Sequence, residues 1–298
     1  MLKAAVVPGS TQPGNWAAPL SETGGLIAAF LDTLKNVSVF DTMLPDMKRV
    51  PLRTRVAVTT LAVTGHIVGE GAVKPISTLE LSAQTLEPVK ALAIVVITKE
   101  LIRFASGDGA DLFGRELRNG VGRVTDQEFI SIITTGVTPI SSSGETAAAI
   151  RADIAAGLDS IVTDASSRLY LLVESRDAKA LAAKSTTAGD AAFPEMTPQG
   201  GIVCGMPALV CDGLADRTMV IVDANGIAAG AGTVEFDTSE HSVVEMQTTP
   251  TNPTDATAAL QSLSQQNKQA IKAVRYFGAE RLRDSVAVID TISYSSPS

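Results

Sequence analysis

Histidine and cysteine are nearly missing, with two of each in 298 residues. So few ligands cannot supply most zinc or iron–sulfur centres. Cys204 and Cys211 alone cannot staple a disulfide-dense secreted scaffold. Aromatic residues make up only 4%, including a single Trp. Cations fall short of anions, 24 against 32, for a net charge of -8. That balance argues against a protein whose main task is gripping DNA or an anionic membrane. Long apolar runs are lacking too. The longest, Ala91–Ile97, is far too short to span a bilayer. Pro8 and Gly9 interrupt the brief apolar stretch after Lys3, so the N-terminus does not read as a secretory signal. Without one, Asn36-Val37-Ser38 reads as a chance match to a glycosylation sequon. The expected setting is a cytoplasmic one with reduced thiols.

What is present is aliphatic. Hydrophobic residues reach 45% and mean hydropathy is +0.21, carried by Ala, Val, Leu and Ile. The length allows one large domain or two modest ones. Pro8, Gly9, Pro13, Gly14, Pro19, Gly24 and Gly25 keep the first 25 residues extended. Trp16 within them leaves two readings open, a disordered tail or an arm anchored on another surface. Leu26, Phe30 and Leu34 predict a short amphipathic helix, and residues 41–51 read as a turn-rich connection. The alternating, β-branched run from Val56 to Thr64 and the run Leu79–Thr85 flank a Gly/Pro centre. They predict a long hairpin that projects and needs a neighbour to lie on.

Further on, Ala91–Ile97 predicts a strand, with Thr98 capping the next helix. A long helix from about Asp111 to Thr134 follows, with Phe113, Leu117, Val121 and Val124 inward and Asp126 among its wet positions. From about 138 to 232 helices and strands alternate as in an α/β unit. There Ile150, Ile154, Leu158 and Ile161 mark one helix, and Ser175 caps another. Leu169–Val173, Ile202–Cys204, Ala208–Cys211 and Met219–Val222 are strands. Leu260 and Leu263 suggest a turn of helix. Gln269–Phe277 is strand or helix on pattern alone, and Val286–Ile289 is a final strand.

No chemistry stands out. Gly107-Asp108-Gly109 with Gly114 has neither dinucleotide spacing nor the Lys-Ser/Thr of a phosphate loop, and reads as a break between helices. Gly226–Gly232 reads as a hairpin loop. A serine nucleophile needs a base, but His66 sits in the hairpin and His241 in a polar connection, and no Gly-x-Ser-x-Gly elbow exists. Cys204 and Cys211 read as buried small hydrophobes. Asp237 with Glu240 reads as a solvated edge rather than an acid–base pair. The expectation is therefore no catalytic, cofactor-binding or metal site. Arm, hairpin and long helix would each expose apolar surface in a monomer, which points to subunit contacts.

Three motifs, in order, carry a family resemblance. The first is Val68-Gly69-Glu70-Gly71-Ala72-Val73-Lys74-Pro75-Ile76-Ser77, continuing through Leu86-Glu87-Pro88-Val89-Lys90 to Val96-Ile97-Thr98-Lys99-Glu100-Leu101-Ile102. The second is Ile202-Val203-Cys204-Gly205-Met206-Pro207-Ala208-Leu209-Val210. The third is Gln266-Asn267-Lys268-Gln269-Ala270-Ile271-Lys272-Ala273, then Asp284-Ser285-Val286-Ala287-Val288-Ile289. The chain resembles tailed-bacteriophage major capsid proteins with the Hong Kong 97-type fold, from about residue 24 to 290. The resemblance implies an α+β fold with an N-terminal arm (1–50), an extended hairpin loop (51–90), and a peripheral domain with its spine helix (91–137). An axial domain (138–232) and the closing strands of the peripheral domain (233–298) complete it, and they tip Gln269–Phe277 towards strand.

The same resemblance implies hexamers and pentamers that close into an icosahedral shell around double-stranded DNA, without sequence-specific binding and without a membrane. Partners would be further copies of the chain, a portal, and scaffold or cement proteins. The place would be the virion, after assembly in the bacterial host cytoplasm. No long charged helical segment precedes residue 24, so either a scaffolding segment has been removed or the scaffold is a separate chain. Some family members cross-link a Lys to an Asn with help from a Glu. Lys74 and Asn267 fall at matching positions, but Val274 stands where the Glu is expected and cannot take a proton, so no cross-link is expected. An encapsulin-like nanocompartment is the alternative on the same fold. A metal-free hydrolase is the alternative from another class, and it lacks a nucleophile–base pair.

Overall fold

The computed structural model describes residues 38–61, 66–68, 73, 76, 80–104, 107–186, 189–247 and 260–294. Trp16 and the helix expected over 26–34 lie outside them. The chain divides into two compact units. One contains Lys90–Gly122 and Thr233–Arg275. The other contains Val37–Val89, Arg123–Gly232 and Tyr276–Ser298.

In the first unit the β-branched run makes β4 (Val89–Thr98), and the Thr98 hydroxyl accepts from Leu101 N–H at 3.3 Å. That cap starts α2 (Lys99–Phe104). The long helix α3 spans Gly107–Thr134, so Gly107-Asp108-Gly109 lies inside it rather than forming a break. Phe113, Leu117 and Val121 are buried as their spacing predicts, whereas Val124 is exposed. Phe113 packs with Ile97 and Leu101. Strand β12 (Glu235–Ser239) pairs antiparallel with β15 (Lys268–Arg281), from Glu235 opposite Val274 to Ser239 opposite Ala270. The short strands β13 (Val243–Glu245) and β14 (Leu260–Ser262) pair with each other. Residues 260–262 are thus strand where a helical turn was expected. Two leucines three apart match the helical period but are too few to fix it, and the partner strand decides.

The second unit is built on a seven-stranded mixed sheet. Its strands are β5 (Ile140–Ser141), β6 (Leu169–Val173), β7 (Met196–Thr197), β8 (Gly200–Val203), β9 (Met206–Val210), β10 (Met219–Asp223) and β16 (Val286–Asp290). Their order is β5-β16-β10-β6-β9-β8-β7. Strand β16 pairs antiparallel with β10, Val288 opposite Val220. The expectation that 286–289 close the peripheral domain is therefore corrected, because these residues complete the sheet of the middle section. Their apolar run matches β10, of which every residue is buried. Helix α4 (Ala147–Asp159), capped by Thr146, lays Ile150 and Ile154 on this core. A Cβ at Gly157 would come within 2.7 Å of Ile221 Cδ1, so glycine sets how closely the helix approaches. Ile161 lies past the helix end but is buried. Helix α5 (Ser175–Ala183) has Glu174, not Ser175, at its N-cap, without a side-chain bond.

Two buried carboxylates tie this unit together. Asp153 accepts from Ser142 Oγ (2.7 Å), Ser143 N (2.8 Å), Ser143 Oγ (2.6 Å) and Tyr294 Oη (2.9 Å). Burial pushes its pKa up, but these bonds outweigh burial and hold it below the usual value. Asp126, expected at a wet position of α3, is buried instead. It accepts from Ser38 Oγ (2.6 Å), Val39 N (3.0 Å) and Phe40 N (2.9 Å). It thereby satisfies the N-terminus of α1 (Val39–Met43), a helix inside the segment expected to be turns. Phe40 then sits edge-on to Phe129 and Phe277, with centroids 5.1 and 5.6 Å away. Strand β1 (Lys48–Arg49) pairs parallel with β11 (Ile227–Ala231), which pairs antiparallel with β15. Gly226–Gly232 is mostly this strand, not a hairpin loop.

Replacing Asp153 with Ala leaves two serines and a tyrosine without their acceptor. It should cost about 3 kcal/mol in denaturant unfolding. Because the folded pKa is depressed, the Asp153 contribution is present above the ordinary carboxylate range. It should disappear as pH falls through the folded pKa, which lies below 3.8. An alanine variant that unfolds like the parent at pH 7 would refute this role.

Candidate functional site

Among the described residues, the hairpin stands apart from the two larger sheets. Strands β2 (Arg55–Leu61) and β3 (Glu80–Thr85) pair antiparallel from Arg55 opposite Thr85 to Leu61 opposite Glu80, with an irregularity between Thr59 and Leu61. The pair forms a separate two-stranded sheet. Beyond it Ile67, Val73 and Ile76 are almost wholly exposed, at 106%, 93% and 96%. Isolated apolar side chains at the surface are ordinary. Three of them within ten residues form an exposed apolar group.

The root of the hairpin is held tightly. Arg53 N donates to Leu86 O (2.9 Å) and Leu86 N to Thr54 O (3.1 Å), while Val50 N donates to Ala229 O (3.0 Å). Leu86 is fully buried. The incoming chain crosses Gly230 so closely that a Cβ there would overlap the Val50 carbonyl oxygen. The outgoing chain crosses Gly278, where a Cβ would lie 2.7 Å from Glu87 O. Both glycines serve close backbone approach, not turn geometry. Arg53 takes a left-handed φ of 63°, which turns the chain into β2.

The residues weighed for chemistry do not converge. Lys74 lies outside the described residues. Asn267 has a φ of 50°, and its carbonyl accepts from Lys99 N at 3.0 Å. Its side-chain amide donates to the Glu100 carboxylate. Val274 is buried on β15. A carboxylate therefore does touch Asn267, but it comes from the first turn of α2, 167 residues away in sequence. Spacing along β15 could not reveal it. The signal was Thr98 followed by Glu100, which fixes where that helix begins. Asp237 pairs with Lys272 at 2.9 Å and Glu240 with Lys99 at 2.8 Å. Each lysine lowers its partner's pKa. Both are surface ion pairs, as the solvated-edge reading expects. His66 and His241 are exposed. Among the described residues, no cluster of three or more His, Cys, Asp or Glu could hold a metal, and no helix is long and apolar enough to cross a membrane.

The two cysteines part company. Cys211 is buried, and burial pushes its thiol up to about 11. Cys204, expected to be buried, is exposed at the β8–β9 turn with a φ of 51°. The turn falls at Cys204-Gly205, one residue earlier than the Gly-Met-Pro sequence suggests. In native, unassembled protein a thiol-reactive chromogen should therefore label one cysteine per chain and two after denaturation, with the native signal lost in Cys204→Ser. Equal native labelling of both would contradict this assignment.

The comparisons with known proteins follow the same geometry. The chain is 30% identical over 319 aligned positions to the capsid polyprotein of Pseudomonas phage PAJU2. The alignment takes in 99% of this chain and 48% of that protein, so the chain spans about half the length of this relative. A solved structure from Gordonia phage Cozz superposes with a TM-score of 0.60 at 18% identity, covering 95% of this chain and 99% of that one. One from Mycobacterium phage Adephagia gives 0.60 at 13% identity, covering 92% and 99%. The capsid of an empty GTA particle gives 0.59 at 11% identity, covering 92% and 99%. No protein-family model matches the chain. The architecture is the Hong Kong 97-type capsid fold, α+β as expected.

Proposed function

We propose that this chain, a homologue of a phage capsid polyprotein with the Hong Kong 97-type fold, is a structural major capsid protein. The observation that carries the reading is the alignment to that polyprotein over nearly the whole chain. The fold and the unpartnered hairpin support it. Copies assemble as hexamers and pentamers into an icosahedral shell that encloses double-stranded DNA. The phage origin of the relative favours a virion over an encapsulin-like compartment.

The parts follow from that reading. Residues 1–50 form the arm and 51–90 the extended loop. The peripheral domain takes 91–137 and the strands from 233 to 281. The axial domain takes 138–232 with β16 added. A portal and scaffold or cement proteins complete the shell, which forms in the host cytoplasm and carries out no catalysis. Mechanism here is association. Ile67, Val73 and Ile76 become buried on a neighbour, and each fully buried aliphatic side chain contributes about 1.5–3 kcal/mol. Many such contacts around a closed shell add up through multivalency.

Electron microscopy with light scattering on the purified chain tests this. Closed shells, or rings of five and six, are expected. A monodisperse particle near 31 kDa across salt and pH would overturn the proposal. Changing Ile67, Val73 and Ile76 together to Ser should leave the subunit folded by circular dichroism and raise the concentration at which assembly begins by roughly tenfold or more.

A further inference from the structure

We infer that the hairpin root is an electrostatic docking surface for an acidic segment of a second copy of this chain; the inference rests on the shell reading above. Lys48, Arg49, Arg53 and Arg55 fall within eight residues that contain no carboxylate. All four side chains are exposed. The chain's net -8 and this cluster's +4 leave -12 for everything else. Along the chain the cluster is therefore a local excess of positive charge. Lys48 stands opposite Ala228, and Ala228 opposite Glu280. Glu280 therefore stands two strands from Lys48 on the same face.

The cluster borders a groove of about 360 Å³ lined by Leu44, Arg49, Val50, Pro51 and Ala229–Ala231. Arg49 is the one charged side chain in it. Ala231 is exposed in it, while Ala229 and Gly230 are buried beneath its floor. Gly230 cannot be enlarged, because the Val50 carbonyl lies over it. A cationic rim beside an apolar floor selects the occupant. A nucleic-acid backbone would engage the arginines and leave the floor empty. A protein segment with a carboxylate next to an aliphatic side chain fills both. Guanidinium groups pair with carboxylates bidentately, and three of the four cations are Arg. The acidic remainder of a neighbouring copy supplies long-range attraction to this one basic patch.

The test uses the full chain and follows light scattering against protein concentration. Arg49→Glu with Arg53→Glu should raise the onset of assembly by about tenfold or more at low salt. Raising sodium chloride to about 0.5 M should weaken wild-type assembly and narrow that difference. Arg49→Lys with Arg53→Lys should fall between the two. Ala231→Leu, at an exposed position that fills the groove, should also raise the onset, without changing the salt dependence. Circular dichroism of each variant checks that the subunit remains folded.

Unchanged onset in the charge-reversal variant, with wild-type shells forming, overturns this inference alone. A variant that assembles normally but loses binding to a short DNA duplex also overturns it and assigns the patch to nucleic acid. Wild-type chains that never associate at any salt overturn both this inference and the shell reading.

Discussion

Everything distinctive about this chain depends on backbone lying directly on backbone. The strands entering and leaving the hairpin pass over Gly230 and Gly278 with no room for a methyl group. The buried Leu86 then wedges between them and the sheet. This contact anchors a hairpin whose own two strands could not hold an orientation in water. It also borders the groove beside the root, where Ala231 is exposed. A surface feature usually follows from side chains. Here the absence of side chains makes the feature.

The second constraint is polar. Asp126 and Asp153 are carboxylates buried in an aliphatic body, and such groups are tolerated only when their lone pairs are used. Each collects donors from segments far away in sequence. Asp126 takes the N-terminus of α1, and Asp153 takes a serine loop and the tyrosine near the C-terminus. Their responses differ for a physical reason. Four donors overcome the burial of Asp153, whereas burial wins at Asp126 and raises its pKa. Apolar packing can slide by a rotamer, but these bonds have fixed partners. They pin α1, the serine loop and Tyr294 to defined places on the unit that carries the hairpin.

How much of this was legible in the sequence depended on whether the signal was local. The hairpin, β4 with its Thr98 cap, and the buried stripe of Phe113, Leu117 and Val121 follow from period and capping. The ordered motifs were specific enough to indicate the fold. What failed required a distant partner. Asp126 looks like a wet helix position until Val39 and Phe40 arrive to donate to it. Leu260 looks helical until Val243–Glu245 pairs with it. Val286–Ile289 was assigned to the wrong sheet because an apolar strand does not state which neighbour it will choose. Cys204 was misplaced by a one-residue shift of a turn, and in a strand one residue exchanges inside for outside.

Among the described residues, the side chains weighed for chemistry do not gather in one place. An active site concentrates unsatisfied polar groups in a sheltered cleft. Among the described residues, the buried carboxylates Asp126 and Asp153 are bonded internally. Among the exposed groups are apolar side chains at the hairpin and cations at its root. Those two kinds of surface have complementary uses. Cations act at a distance and orient an approaching subunit, while aliphatic side chains contribute only at contact and in proportion to the area covered. On the shell reading, a chain that carries both can be steered first and sealed afterwards.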